Sequence, residues 1–253
     1  MKKSILTLFS LLAVALLFTS AGGCLEKINA DIAPSPKSTM SSGCIDSVVI
    51  YEKDGNIIAV IQIILQGTYA QTLDKENITV KLNANNVEVY VPVITKEGPN
   101  TKNLGYETVE VVLGKANDFE NGKKYNVVMN EDKGLKYAFM IEDDVLTTFM
   151  PAPIVNAEIK ADGKNIIVSV KTAISGSQSV DTANLVKSGN NEYDLYIPIK
   201  TAGNVMTLDI KWVTQDFILG DFTQLEDGIY KININGQTVT FEIQNNALID
   251  SSQ

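Results

Sequence analysis

The chain of 253 residues contains no histidine. Histidine is the commonest general base, the commonest side-chain ligand of transition metals and the usual pH switch near neutrality. Its absence excludes Ser-His-Asp and Cys-His catalysis and every zinc site that needs an imidazole. An enzyme built on this chain would depend on carboxylates, Lys or Tyr, and the sequence shows no constellation of them. We therefore predict a protein without enzymatic activity and without a cofactor.

Cysteine is scarce, since Cys24 and Cys44 are the only two in the chain. Two thiolates cannot complete a four-cysteine zinc site or hold an iron–sulfur cluster. Basic residues are outnumbered by acidic ones, 21 to 30, which gives a net charge of -9. This balance argues against a nucleic-acid partner, because phosphate binding needs clustered Lys and Arg. The apolar content of 45% is ordinary for a globular protein and predicts folded cores.

The first residues have the layout of an export signal. Met1-Lys2-Lys3 forms a basic head, and residues 5–18 form an apolar run that contains only one Thr and one Ser. Small residues follow, up to Cys24. A basic head, an apolar run and then small residues are typical of a secretory signal peptide, and the run is short for a membrane-spanning helix of about 20 residues. We predict a signal peptide over residues 1–23.

The end of this segment, Ala21-Gly22-Gly23-Cys24, resembles the lipobox of prokaryotic lipoproteins. In that family the thiol of the Cys receives lipid, the peptide bond before it is cut, and the Cys becomes the new N-terminus. The resemblance implies that Cys24 anchors the protein to the outer face of the cell membrane, although Leu is usual where Ala21 stands. The alternatives are an uncleaved N-terminal anchor and ordinary cleavage with full secretion. A Cys24 without lipid could also form a disulfide with Cys44 in an oxidising compartment.

Residues 24–43 are predicted to be a flexible tether. They contain Pro34-Ser35-Pro36, several Ser and Thr residues, and little apolar periodicity. Such a composition cannot bury enough surface to offset the entropy of the chain.

The chain after Cys44 repeats itself. Residues 56–63 (NIIAVIQI) are matched by residues 165–171 (NIIVSVK), and residues 87–93 (VEVYVPV) by residues 193–199 (YDLYIPI). Further matches follow in the same order, and the offset falls from about 109 to about 102 residues along the chain. Matches in a constant order, with only loop lengths changing, indicate a tandem duplication.

Each repeat has the pattern of β-strands. Apolar and polar residues alternate with a period of two, β-branched residues dominate, and turn pairs such as Asn235-Gly236 separate the runs. Pro92 and Pro198 lie inside strand patterns, which suggests edge strands or bulges. We predict an all-β protein with two tandem immunoglobulin-like β-sandwich domains, although it lacks the paired Cys and buried Trp of antibody domains; a jelly roll or small barrel is the alternative. The predicted domains are residues 44–149 and 154–246, joined by a short Pro linker (150–153) and followed by a tail (247–253).

Three groups of side chains are candidates for a site. Acidic residues such as Glu142-Asp143-Asp144 could bind calcium, although acidic residues are common in turns. Tyr90, Tyr196, Trp212 and Phe217 could form a carbohydrate-stacking surface, although aromatic residues in strands usually belong to the core. The first repeat also has an insertion that the second lacks, and we expect a binding loop there first. This insertion consists of Gly98, Pro99, Asn100, Thr101, Lys102 and Asn103.

These observations predict a cell-surface lipoprotein that acts as a binding or adhesion module or as an accessory subunit of an envelope complex. Its partners would be the membrane, through the lipid, and a protein or glycan. A passive structural spacer, a secreted inhibitor and a solute-binding component are the alternatives. A contiguous apolar or aromatic patch confined to one repeat would favour binding over spacing.

Overall fold

The computed structural model describes residues 39–66, 71–96, 103–203 and 209–249. The export segment, Cys24 and residues 98–102 of the predicted binding loop lie outside these ranges. The described residues form strands and two short 3₁₀ turns, Lys75–Asn77 and Ala116–Asp118. No helix within those ranges is long and apolar enough to cross a membrane. The all-β class predicted from the sequence is confirmed.

The strands of the first half form where the apolar alternation is strongest. In strand β3 the side chains of Ile57, Ile61 and Ile63 point to one face and are fully buried. Residues between them point to the opposite face, because successive side chains of a strand alternate. The strands of this half are β1 (Thr39–Ser42), β2 (Cys44–Lys53), β3 (Asn56–Gln66), β4 (Gln71–Leu73), β5 (Thr79–Asn83), β6 (Asn86–Tyr90), β7 (Pro92–Thr95), β8 (Leu104–Lys115), β9 (Lys124–Met129), β10 (Asp132–Glu142) and β11 (Val145–Pro151).

These strands form layers around one hydrophobic core. One sheet has the order β2-β3-β8, a second has the order β1-β7-β4, and strands β5-β6-β9-β10-β11 belong to a larger sheet. Ile61 of β3, Val89 of β6 and Phe139 of β10 are at most 2% exposed and belong to the same buried cluster. The sheets therefore pack face to face, as in a β-sandwich.

The second half repeats this strand order around its own core. Its sheets are β12-β13-β18, β14-β17-β11 and β15-β16-β19-β20-β21. A second buried cluster includes Ile166, Ile197 and Phe241. The strands are β12 (Ile154–Asp162), β13 (Asn165–Ser175), β14 (Gln178–Val180), β15 (Asn184–Lys187), β16 (Glu192–Tyr196), β17 (Pro198–Ala202), β18 (Ile210–Asp221), β19 (Gly228–Ile234), β20 (Gln237–Gln244) and β21 (Ala247–Ile249).

Residues are called equivalent below when they hold the same place in matched strand pairs. For example, Tyr125 pairs with Phe139 in the first half, and Tyr230 pairs with Phe241 in the second. The sequence matches fall on equivalent positions, so the two halves share strand order, register and core positions.

Strand β11 belongs to both halves. One of its edges pairs with β10, where Phe149 lies opposite Ala138, and the other pairs with β17, where Phe149 lies opposite Lys200. A seven-stranded sheet therefore runs continuously through both halves. Met150 packs against both buried clusters. Met150 and Pro151, which the sequence assigned to a linker, are strand residues, since a proline at a strand end keeps the extended backbone.

Two other boundaries differ from the sequence prediction. Thr39–Ser42, assigned to the tether, forms strand β1 and pairs with β7. Ala247–Ile249, assigned to the tail, forms strand β21 and pairs with β20. Both strands are short and mostly exposed, so neither carries the apolar alternation that marks a strand in sequence.

Each half contains one parallel strand pair. Strand β6 runs parallel to β9, and β16 runs parallel to β19. The two sheets of an immunoglobulin sandwich are antiparallel. The strand arrangement departs from the immunoglobulin pattern at this point.

Candidate binding surface

The last strands of the β2-β3-β8 and β12-β13-β18 sheets, β8 and β18, display a similar row of side chains on the outer face. The alternating inner residues of β8, Val111 and Leu113, are buried in the core. In order along each strand, the outer row consists of an aliphatic residue, an aromatic residue, a Thr, a carboxylate and a second aliphatic residue. The row is Leu104, Tyr106, Thr108, Glu110 and Val112 in β8, and Ile210, Trp212, Thr214, Asp216 and Ile218 in β18.

The apolar members of this outer row are exposed to solvent. Tyr106 and Val112 are each 55% exposed, and Trp212 and Ile210 are 58% and 65% exposed. Among the described residues each strand pairs on one edge only, with β3 or β13. A long edge strand that carries exposed apolar side chains is prone to contact with another chain.

In the first half, the apolar character extends across all three strands of the β2-β3-β8 sheet at two neighbouring rows of the outer face. Ile58 lies opposite both Tyr51 and Val112, and the next row places Val49 opposite Val60. Val49 is 42% exposed. Side chains directly opposite one another on adjacent strands are in contact range, so these residues form one contiguous patch.

The equivalent face of the second half is polar. Lys160 and Glu158 stand where the first half has Tyr51 and Val49, and Ser169 stands where it has Val60. The broad apolar patch is therefore confined to the first half, whereas the outer row of the edge strand is present in both.

A polar pair crosses the central strand at the same place in each half. In the first half the hydroxyl of Tyr51 is hydrogen-bonded to Glu110, and the pKa of Tyr51 is raised by partial burial and then by this carboxylate. In the second half Lys160 and Asp216 form an ion pair with an Nζ to Oδ2 distance of 3.0 Å. A hydrogen bond from Ser169 and the pairing with Lys160 lower the pKa of Asp216. Both pairs hold a carboxylate on the outer face beside apolar side chains, an arrangement suited to recognition.

A cation–π contact further distinguishes the outer row of the second half. The Nζ atom of Lys171 lies 4.9 Å from the ring centroid of Trp212. The equivalent of Lys171 in the first half is Gln62, which accepts a hydrogen bond of 3.2 Å from Ser47. The two aromatic residues of the outer row, Tyr106 and Trp212, therefore have different neighbours, and we expect them to prefer different contacts.

The structure separates the aromatic residues that the sequence proposed as a carbohydrate platform. Trp212 is on the outer face, while Phe217 points to the opposite side of β18 and packs against the core. The hydroxyl of Tyr196 donates a hydrogen bond of 2.6 Å to the carbonyl of Lys136, between the two halves. These residues do not form one surface.

The remaining candidates are placed as follows. Asp143 and Asp144 have positive φ angles of 50° and 62° in the turn between β10 and β11, which explains an acidic turn without a metal. Within the described ranges no group of three acidic or cysteine residues could hold a metal ion. Asn103 is exposed and leads directly into β8, so the described end of the predicted binding loop enters the outer-row strand.

The outer row is the feature that the sequence analysis missed. Strands β8 and β18 carry apolar residues on both faces, so the alternation with a period of two is weak, and these strands lie outside the matched segments 56–63 with 165–171 and 87–93 with 193–199. Aligning residues 104–112 with 210–218 would have shown the shared pattern of aliphatic, aromatic, Thr and acidic residues.

No protein-family model matches the chain, and neither a curated protein nor a solved structure matches it.

Proposed function

We propose that the protein is an exported, non-enzymatic binding module in which two related, immunoglobulin-like β-sandwich domains present a contact surface to a protein partner. The outer row of β8 and β18 carries this proposal. The row keeps its order of residue types in both halves. The neighbouring outer faces differ, since that of β2 is apolar and that of β12 is charged.

A protein partner fits this surface better than a spacer role. A spacer needs only soluble outer faces, and exposed Trp and Ile residues on an edge strand reduce solubility. Edge strands also offer main-chain donors and acceptors to an incoming strand, and pockets between alternate side chains then give specificity. The apolar patch of the first half extends such a contact across three strands.

Photo-crosslinking in the native host tests the binding surface. A photoreactive amino acid is placed at Tyr106 or at Trp212, and the matched control is placed at Leu82, a 49% exposed apolar residue of β5. We expect the same protein adduct from positions 106 and 212 and none from position 82. Adducts of equal yield at all three positions, or none at 106 and 212, would contradict the proposal; an adduct with polysaccharide would replace the protein partner with a glycan.

We further propose that lipid on Cys24 holds this module on the outer face of the membrane. Cys24 and Cys44 are the only cysteines in the sequence. A lipid on Cys24 and a disulfide between Cys24 and Cys44 exclude each other. The proposal therefore requires that lipidation precede any pairing of the two thiols.

Intact mass and lipid labelling decide between these states. With lipid on Cys24, we expect incorporation of an alkyne fatty acid and loss of residues 1–23. Cys24→Ser should abolish the label and release the protein into the medium. An unlabelled protein whose two cysteines resist maleimide until reduced would show a secreted, disulfide-bonded form instead.

A further inference from the structure

The carboxylate of Glu110 lies within the apolar patch of the first half. Across the sheet, Val60 lies directly opposite Glu110, and Val49 lies opposite Val60 on its other side. Along β8, the neighbours of Glu110 on the outer face are Thr108 and Val112. Glu110, Val49 and Val112 are all exposed. A partner that covers these valines therefore also covers the carboxylate.

Glu110 forms no ion pair within the described part of the first half. Its hydrogen-bond partner is the neutral hydroxyl of Tyr51. Lys53 of β2 and Lys115 of β8 both lie opposite Asn56, which is roughly 13 Å along β3 from the row of Glu110. This separation exceeds the Debye length of about 8 Å at physiological ionic strength, so these lysines are largely screened from Glu110. The apolar patch thus carries a negative charge without a nearby counter-charge.

The equivalent carboxylate of the second half is balanced within the chain. Asp216 accepts a hydrogen bond from Ser169 and pairs with Lys160, whose Nζ atom lies 3.0 Å from Oδ2. Lys160 stands where the first half has Tyr51. The difference between a lysine and a tyrosine at this one position leaves Glu110 without the counter-charge that Asp216 has.

We propose, on the basis of the proposed function, that the protein partner places a Lys or Arg side chain, flanked by apolar residues, against Glu110. A contact over the valines removes Glu110 from water, and burial of an unpaired carboxylate is strongly unfavourable. An ionised carboxylate accepts about four hydrogen bonds, of which Tyr51 supplies one, so acceptor sites remain for a cation. The second half makes no such demand, because Lys160 already balances Asp216.

Two substitutions of Tyr51 test the need for a cation. Each is combined with the photoreactive amino acid at position 106, and the yield of the protein adduct is measured in the native host. Tyr51→Lys puts an amine where Lys160 stands in the second half, so it neutralises Glu110 and repels a cation of the partner, whereas Tyr51→Met has a similar length and no charge. We expect Tyr51→Lys to lower the yield by about tenfold or more, and Tyr51→Met by no more than about threefold. Equal yields from the two variants would overturn the proposal.

Neutralising Glu110 itself gives a second measurement. Glu110→Gln can still accept the hydrogen bond from Tyr51, but it leaves the cation of the partner without a counter-charge, so we expect a fall of about tenfold or more. Glu88→Gln is the matched control, because Glu88 is an exposed carboxylate of strand β6 with a hydrogen bond of 3.4 Å from Asn83. An unchanged yield with Glu110→Gln would refute the cation and leave the proposed function standing. Absence of an adduct from the protein with Glu110 intact would refute both.

Exchange of the two charges identifies the residue of the partner. The crosslinked segment of the partner is determined by mass spectrometry, and each Lys or Arg in that segment is replaced in turn by Glu. We expect one of these replacements to restore the adduct that Glu110→Lys alone abolishes, since it forms the same ion pair with the charges exchanged. A crosslinked segment without Lys and Arg, or failure of every replacement to restore the adduct, would contradict the proposal.

Discussion

At the scale of single residues, two asparagines hold the same position in the two halves. Asn130 and Asn235 have φ angles of 51° and 48°, in the left-handed region that Asn tolerates better than most residues. The Oδ1 atom of Asn235 accepts a hydrogen bond of 2.9 Å from the backbone N–H of Ile197, and its Nδ2 atom donates to the carbonyl of Ala152 at 2.9 Å. Asn130 makes the equivalent bonds with Val91 and Gly43. One side chain thus ties the hairpin to two other segments.

We expect Asn235→Ala to lower the free energy of unfolding by about 2–4 kcal/mol, because it strands the buried N–H of Ile197 and puts Ala at a positive φ. Urea denaturation measures this loss. Asn245→Ala is the control for the cost of placing Ala at a positive φ angle, since Asn245 has a φ of 53° in an exposed turn. Equal losses from the two variants would show that the side-chain hydrogen bonds of Asn235 contribute nothing.

A second prediction at this scale concerns stability at alkaline pH. Burial raises the pKa of Tyr137 to about 12. A hydrogen bond with the backbone of Val48 lowers this pKa by less, and the charge of Asp46 raises it further. The unfolded chain releases this proton near pH 10, whereas the folded chain holds it until about pH 12. The contribution of Tyr137 to the free energy of unfolding, roughly 2–3 kcal/mol, is therefore complete below pH 10. It is lost as the pH rises from about 10 to about 12.

Urea unfolding between pH 9 and about 12 measures this decline. Tyr137→Phe should flatten the slope of the unfolding free energy against pH, because Phe has no proton to lose. Tyr106→Phe, which changes a 55% exposed side chain, should leave the slope as it is. The same slope in all three proteins would refute the assignment to Tyr137.

At the scale of elements, β8 and β18 each have a glycine near the end of the strand that lies close to an apolar side chain. A Cβ atom on Gly114 of β8 would lie 2.9 Å from the ring of Phe119, which packs against Tyr125 and Phe139. The equivalent Gly220 of β18 would place its Cβ atom 3.4 Å from Leu225, an ordinary contact distance. We expect Gly114→Ala to cost about 1–3 kcal/mol through overpacking and Gly220→Ala to cost clearly less. Thermal unfolding of the pair measures the difference, and a reversed order would contradict this account.

The long strands were predictable and the short ones were not. Strand β3 alternates fully buried Ile residues with outer-face residues, and the Asn235-Gly236 pair sits between β19 and β20 with positive φ angles of 48° and 92°, as the hairpin pattern predicted. Strands β1 and β21 have three or four mostly exposed residues and depend on distant partners. The parallel pairing of β6 with β9 is also non-local, since about 40 residues separate the paired positions, so no local pattern reports it.

At the scale of the whole molecule, the duplication was visible in sequence and the shared strand was not. A repeated pattern shows where similar residues recur, and each residue then belongs to one copy. Residues Thr147, Thr148 and Phe149 pair on both edges, so they belong to two copies at once. Pro151 and Pro153 reinforced the interpretation as a linker, because an extended backbone with prolines is typical of both linkers and strand ends.

Sharing β11 should make the two halves unfold together. Loss of β11 from one half removes a sheet edge and the Met150 contact from the other, so we expect a single calorimetric transition whose measured enthalpy equals the van't Hoff enthalpy. Met150→Ala should lower the free energy of unfolding by about 1–2 kcal/mol, because Met150 is only partly buried, and should lower the transition temperature while keeping one transition. Ser41→Ala changes the equivalent position in β1, which lies in the first half alone, and should leave the midpoint nearly unchanged. Two separate transitions in the unmodified protein would show that the continuous sheet does not couple the halves. Hydrogen exchange is a second measurement. Slower exchange at Thr148 and Phe149 than at Thr39 and Met40 would locate the coupling in β11.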